Sequence, residues 1–75
     1  YADLSGAQMN NTNLTAANLN HANLANADMA NANLTAATLT NADLSGSNLQ
    51  NANFSETFLQ CSNLNQANLT RANFN

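Results

Sequence analysis

Large apolar residues recur along this chain with a strict period of five. They are Leu4, Met9, Leu14, Leu19, Leu24, Met29, Leu34, Leu39, Leu44, Leu49, Phe54, Leu59, Leu64, Leu69 and Phe74. Two positions before each sits a small residue, Ala in eleven of the fifteen units and otherwise Thr12, Ser47, Thr57 or Ser62. Between small and large lies a polar residue, Asn in nine units and Asp in three. Two further, variable positions complete each unit.

A period of five fits neither regular element. On an α-helix each step of five advances about 140° past a full turn, which smears the leucines around the cylinder. In an unbroken strand the same step sends successive large residues to opposite faces. Within one unit, however, the small and large residues are two apart, as on one face of a strand. The three-residue step to the next small position requires a corner. A corner every five residues makes a coil with flat sides, its small and large residues inward and the other three outward. The expected core is therefore the fifteen large positions named above.

The last slot of the unit supports the corner. Gly6, Asn11, Asn26, Asn31, Asn41, Gly46 and Asn51 occupy it in half of the fourteen assignable units, and Gly and Asn tolerate the backbone angles that tight turns need. No proline interrupts the inter-coil ladder.

The pattern resembles the pentapeptide repeat family, whose consensus is Ala-(Asp/Asn)-Leu-X-X, over all 75 residues. The resemblance implies an all-β fold: a right-handed quadrilateral parallel β-helix with four units per coil, about four coils here. Residues twenty apart would then stack, putting Met9 over Met29, Phe54 over Phe74 and Asn13, Asn33, Asn53 and Asn73 in one column. The whole of 1–75 reads as one domain, expected to be part of a longer protein. Solenoids normally need their open ends covered, so a flanking segment or end-to-end self-association is also expected, the third possibility being that the ends fray.

Composition narrows the function classes. Asn (18 residues) and Ala (15) dominate, charged residues make up 7%, and the net charge is −3. That balance lacks the basic footprint of nucleic-acid binding. Polar residues interrupt every apolar run well short of a membrane span, so no membrane contact is expected from this segment. The single Cys61 allows no intrachain disulfide.

Candidate chemistry is sparse. His21, Asn41 and Cys61 share an outward column, but His21 and Cys61 would stand two coils apart, about 9–10 Å at ordinary strand spacing. A nucleophile and its base need hydrogen-bond contact, so no catalytic residue is assigned. One His, one Cys and four scattered carboxylates give no metal-ligand spacing, and no cofactor is expected. Sequons at Asn10, Asn13, Asn33, Asn53 and Asn68 follow largely from the repeat itself. The irregular stretch is 55–62, where Phe58 takes the slot that is polar in every other unit. An outward aromatic there is the candidate partner contact, set against a local bulge or a ring lying flat on its own coil.

The expected function is a non-enzymatic structural or protein-interaction module. The alternative drawn from the resemblance is a DNA mimic that binds gyrase, for which four acids are few. An ice-binding face would rest on Thr15, Thr35 and Ser55, a short array.

Overall fold

The computed structural model describes residues 2–75; Tyr1 lies outside them. Parallel bridges pair residues twenty apart throughout, from Asp3 with Asn23 to Asn53 with Asn73. The chain therefore winds as a right-handed four-sided β-helix with twenty residues per coil. We number the coils 2–21, 22–41, 42–61 and 62–75. The first face holds units 2–6, 22–26, 42–46 and 62–66, and the second to fourth faces follow in chain order.

Unit 22–26 shows why five residues suffice for a side. The Ala22 N–H donates to the Leu19 carbonyl at 3.0 Å, closing the corner before it. The Asn23 N–H donates back to Ala2 at 2.8 Å, while those of Leu24 and Asn26 donate forward to Asp43 (2.7 Å) and Ser45 (2.8 Å). One donor remains, and Ala25 N–H gives it to the Asn23 side-chain Oδ1 at 3.1 Å. All five donors are thereby satisfied, as buried or partly buried backbone must be.

This last bond explains the polar middle slot. The first variable residue has no ladder partner, so an Asn or Asp two positions earlier supplies the acceptor as an Asx turn. The same bond recurs at 3.1 Å from Thr35 to Asn33, 3.0 Å from Ser45 to Asp43 and 2.9 Å from Ser55 to Asn53.

Each corner places its last-slot residue in the left-handed region, the third position of a type II turn. Gly6 and Gly46 (φ 68°) enter it freely. Ala16, Ala36, Glu56, Cys61, Gln66 and Arg71 enter it too, at φ between 57° and 62°. A left-handed residue with a Cβ costs about 1–2 kcal/mol. At Ala16, Ala36 and Glu56 that cost is offset because the geometry aims the N–H at the next coil, as from Ala36 to Ser55 at 2.9 Å.

Inside, the small and large side chains fill the cross-section. Leu24, Met29, Leu34, Leu39, Leu44 and Leu49 have no exposed surface. Fully burying such a side chain is worth about 1.5–3 kcal/mol. The one buried polar residue among those described, Ser47, donates its hydroxyl to the Leu44 carbonyl at 2.7 Å.

The sealed core is shorter than the run of fifteen positions. Leu4, Met9, Leu14, Leu19, Leu59, Leu64 and Leu69 are only partly buried, packed against the middle coils. Phe74 departs most from the core expectation, being 52% exposed. It continues the inner column, its ring stacked on Phe54 with centroids 4.9 Å apart and planes 3° from parallel. Among the described residues no coil covers its outer side.

Candidate functional site

Phe58 and Phe74 are the exposed large hydrophobic residues among those described. Both belong to the C-terminal edge of the stack, Phe74 at the end face and Phe58 on the last row of the fourth face. That edge is the candidate interaction site.

The fourth face (17–21, 37–41 and 57–61) is built differently from the others. Its middle slots are Asn18, Thr38 and Phe58. Asn18 caps the Asn20 N–H at 3.1 Å in the usual way. At the next level Thr38 stands in the capping slot, and the Thr40 N–H turns to Asn20 Oδ1 of the preceding coil at 2.8 Å. The Thr38 hydroxyl meets Asn18 Oδ1 at 3.3 Å, and the Thr40 hydroxyl meets Gln60 Oε1 at 3.4 Å. On this face side chains thus link coils at successive levels, as the Asn48 amide does to Asp28 Oδ1 at 3.3 Å on the second face.

At Phe58 the capping acceptor is missing, since a phenyl ring has none, and the Gln60 amide loses that partner. The backbone nevertheless keeps register without a bulge. Phe58 pairs with Thr38, accepts from the Leu39 N–H at 2.7 Å and donates to Ala37 at 3.0 Å. Just before it, the Thr57 hydroxyl reaches the Leu34 carbonyl of the preceding coil at 2.7 Å. Other hydroxyls in that slot bond their own turn, as Ser62 does to Leu59 at 2.8 Å. Thr57 therefore ties this unit to the coil behind it, and the Phe58 ring is left 53% exposed.

The end face beside it carries the unfinished ladder. In the middle coils the large and last-slot N–H groups donate forward to the next coil, as Leu44 does to Asn63 at 2.7 Å. The corresponding donors of Leu59, Cys61, Leu64, Gln66, Leu69 and Arg71 meet no further coil among the described residues.

The other sequence candidates stay apart. His21, Asn41 and Cys61 occupy successive left-handed corners (φ 64°, 61° and 60°) of one column, so His21 and Cys61 are separated by a coil. Cys61 is an exposed free thiol. Asp3 and Asp43 lie on the first face, Asp28 on the second and Glu56 at a corner of the third. No three His, Cys, Asp or Glu side chains cluster among the described residues. The four acids form no phosphate-like row. Two are engaged locally: Asp3 accepts from the backbone and hydroxyl of Ser5, and Asp43 from the hydroxyl and backbone of Ser45. These bonds hold both carboxyls below the ordinary value of 3.8. The sequon residues Asn13, Asn33, Asn53 and Asn68 spend Oδ1 on capping Thr15, Thr35, Ser55 and Thr70.

Sequence reasoning found Phe58 but not the role of the slot it fills. The signal was present: wherever Asn or Asp stands in that slot, its spacing to the next-but-one residue is that of an Asx turn.

Known proteins extend the picture. A family model described as pentapeptide repeats matches residues 12–51 and 47–75 in eight copies. No curated protein is similar enough to count as a relative. Among solved structures, the pentapeptide repeat protein Rfr23 of the cyanobacterium Cyanothece 51142 superposes with a TM-score of 0.68 at 34% identity. That match covers 97% of this chain and 54% of Rfr23. The pentapeptide repeat protein alr5209 of Nostoc PCC 7120 gives 0.58 at 35% identity, over 93% of this chain and 62% of its own. HetL of Nostoc sp. strain PCC 7120, described as involved in regulation of heterocyst differentiation, gives 0.54 at 36% identity, over 97% and 36%. The chain therefore spans less than two thirds of the length of each.

Proposed function

The chain belongs to the pentapeptide repeat family, and from that premise we propose that it is a non-enzymatic structural module that contacts a protein partner through the Phe58 edge of its fourth face. The observation that carries this reading is Phe58 itself. It is an aromatic side chain, 53% exposed, in a slot where a polar residue would satisfy the Gln60 amide. The exposed ring leaves the Gln60 amide without a cap from that slot, and aromatic anchors carry a large share of interface energy.

The rest of the molecule supports a scaffold rather than a reaction centre. Inward side chains are apolar or small, and most middle-slot amides are spent on capping. No cavity opens among the described residues. HetL, a relative described by a regulatory involvement, is in keeping with a role exercised through contact. The gyrase-binding alternative gains no support, since the acids are few and scattered.

A photo-cross-linking amino acid at position 58 tests this in cells that express the protein. It should capture a discrete protein band that the same probe at position 18, two coils back in the same column, does not. Phe58→Asn, which restores the cap, should keep the fold and lose competition for that band. Equal capture from both positions, or undiminished competition by Phe58→Asn, would overturn the assignment.

A further inference from the structure

We propose that the partner seated on Phe58 is a peptide segment whose backbone carbonyl accepts from the Gln60 N–H, supplying the cap that position 58 withholds. This contact rests on the Phe58 reading and gives it a chemistry.

The first variable residue of a unit finds its acceptor in one of two ways. Its own middle slot supplies Oδ1, as Asn48 does for Gln50 at 3.2 Å and Asn63 for Asn65 at 2.9 Å. Where the middle slot cannot, the preceding coil can, as Asn20 Oδ1 does for the Thr40 N–H at 2.8 Å. Both routes are closed at Gln60. Its middle slot is Phe58, and the residue one coil back is Thr40, whose hydroxyl donates to Gln60 Oε1 at 3.4 Å. Neither route draws on a following coil. Among the described residues Asn10, behind Gln8, shares the open N–H, but its unit holds no aromatic residue.

The neighbouring ring makes the open donor matter. Gln60 is exposed, so water serves its N–H while the surface is free. A partner that covers Phe58 excludes water from the backbone two residues on. Burying that donor without an acceptor would cancel much of what the ring contributes. The covering segment must therefore bring an acceptor of its own.

Charge decides which acceptor fits. The fourth face (17–21, 37–41 and 57–61) holds no Asp, Glu, Lys or Arg, and Glu56 stands at the corner leading into the Phe58 unit. The chain's one guanidinium, Arg71, lies on the second face with its Nε donating to Asn51 Oδ1 at 3.0 Å. A carboxylate would meet repulsion and no cation, so a neutral carbonyl is favoured. A peptide backbone carries that carbonyl beside an apolar side chain, which answers donor and ring together.

The test deletes the N–H and keeps the ring. Residues 59–62 form a type II turn, closed by the Ser62 N–H to the Leu59 carbonyl at 3.1 Å with Cys61 at φ 60°. Proline suits its second position. Gln60→Pro should therefore keep the urea midpoint, whereas Thr35→Pro, which deletes an N–H bonded to Asn33 Oδ1 at 3.1 Å, should lower it. In competition for the band captured from position 58, Gln60→Pro should need about tenfold more protein than the unaltered chain. It should also need about threefold more than Gln60→Ala, which retains the N–H. An ester in place of the 59–60 amide removes the same hydrogen without adding a ring, and should compete as Gln60→Pro does. Asn10→Pro should compete as the unaltered chain does. Raising sodium chloride from 50 to 500 mM should shift these values less than about twofold, since no ion pair is involved. If Gln60→Pro and the ester compete as well as Gln60→Ala, the carbonyl contact falls while the Phe58 reading stands. Undiminished competition by Phe58→Asn overturns both. A loss of binding at high salt would mean a charged acceptor and overturn the neutral one.

Discussion

The second coil and the partial fourth are written in the same five-residue repeat, yet they behave as different materials. In coil 22–41 every inward side chain is sealed, and each large residue donates forward while its neighbour donates back. In 62–75 the inward residues Leu64 and Leu69 are partly exposed, Phe74 more than half so. Their forward donors have no coil to meet among the described residues. Burial here belongs to the stack and not to the unit, as nearest-neighbour models of repeat proteins require.

The largest effect that probes this contrast comes from emptying the core at two levels. Leu34→Ala should destabilise by about 3–5 kcal/mol, because a fully enclosed leucine leaves a cavity its neighbours cannot fill. Leu69→Ala should cost about 1–2 kcal/mol, since solvent already reaches that site. Urea unfolding by circular dichroism measures both. Equal losses would mean that the last coil is as well packed as the middle.

Removing an Asx cap comes next. Asn33 Oδ1 accepts from both the backbone and the hydroxyl of Thr35, at 3.1 and 2.6 Å. Asn33→Ala should cost about 1 kcal/mol, while Asn33→Asp keeps the acceptor and should cost less. The reverse experiment is Phe58→Asn, which returns the acceptor to the Gln60 amide. It should raise stability by about 0.5–1 kcal/mol, an increase expected only if the aromatic residue is held there for something other than folding. A loss of stability would show that the ring packs usefully on its own coil.

The smallest effect is acid sensitivity of the first face. Asp3 and Asp43 have folded-state values below 3.8 because Ser5 and Ser45 bond their ionised forms. A lowered folded value means that the unfolded chain takes up the protons first. Their contribution is therefore complete above about pH 4–5 and lost as pH falls through and below the ordinary carboxylate value. Asp3→Asn with Asp43→Asn should flatten that part of the stability curve. A steeper acid limb in the double variant would contradict the sign.

Much of this architecture was legible from the spacing of the large residues. A two-residue inward step and a three-residue corner force a coil, and the corner slot was identifiable from its Gly and Asn. Its other occupants were not: Glu56, Cys61 and Arg71 favour no such turn, and the bonds that close their corners, from Thr57 to Phe54, Ser62 to Leu59 and Ala72 to Leu69, go with their positive φ. The twenty-residue register rested on the family resemblance, because a five-residue repeat alone fits several coil sizes equally well. Phe58 stood out as an irregular side chain, but what it displaces became visible only when the fate of each N–H was traced. Whether Phe74 is covered depends on the coil above it, about which its own five residues carry no information.

Neighbouring coils, through their ladders, protect what a single unit cannot. Native-state hydrogen exchange at low micromolar concentration tests it residue by residue. The amides of Leu24, Leu34 and Leu44 should exchange most slowly, and those of Leu64 and Leu69 several orders of magnitude faster. Uniform protection from the second coil to the last would contradict it.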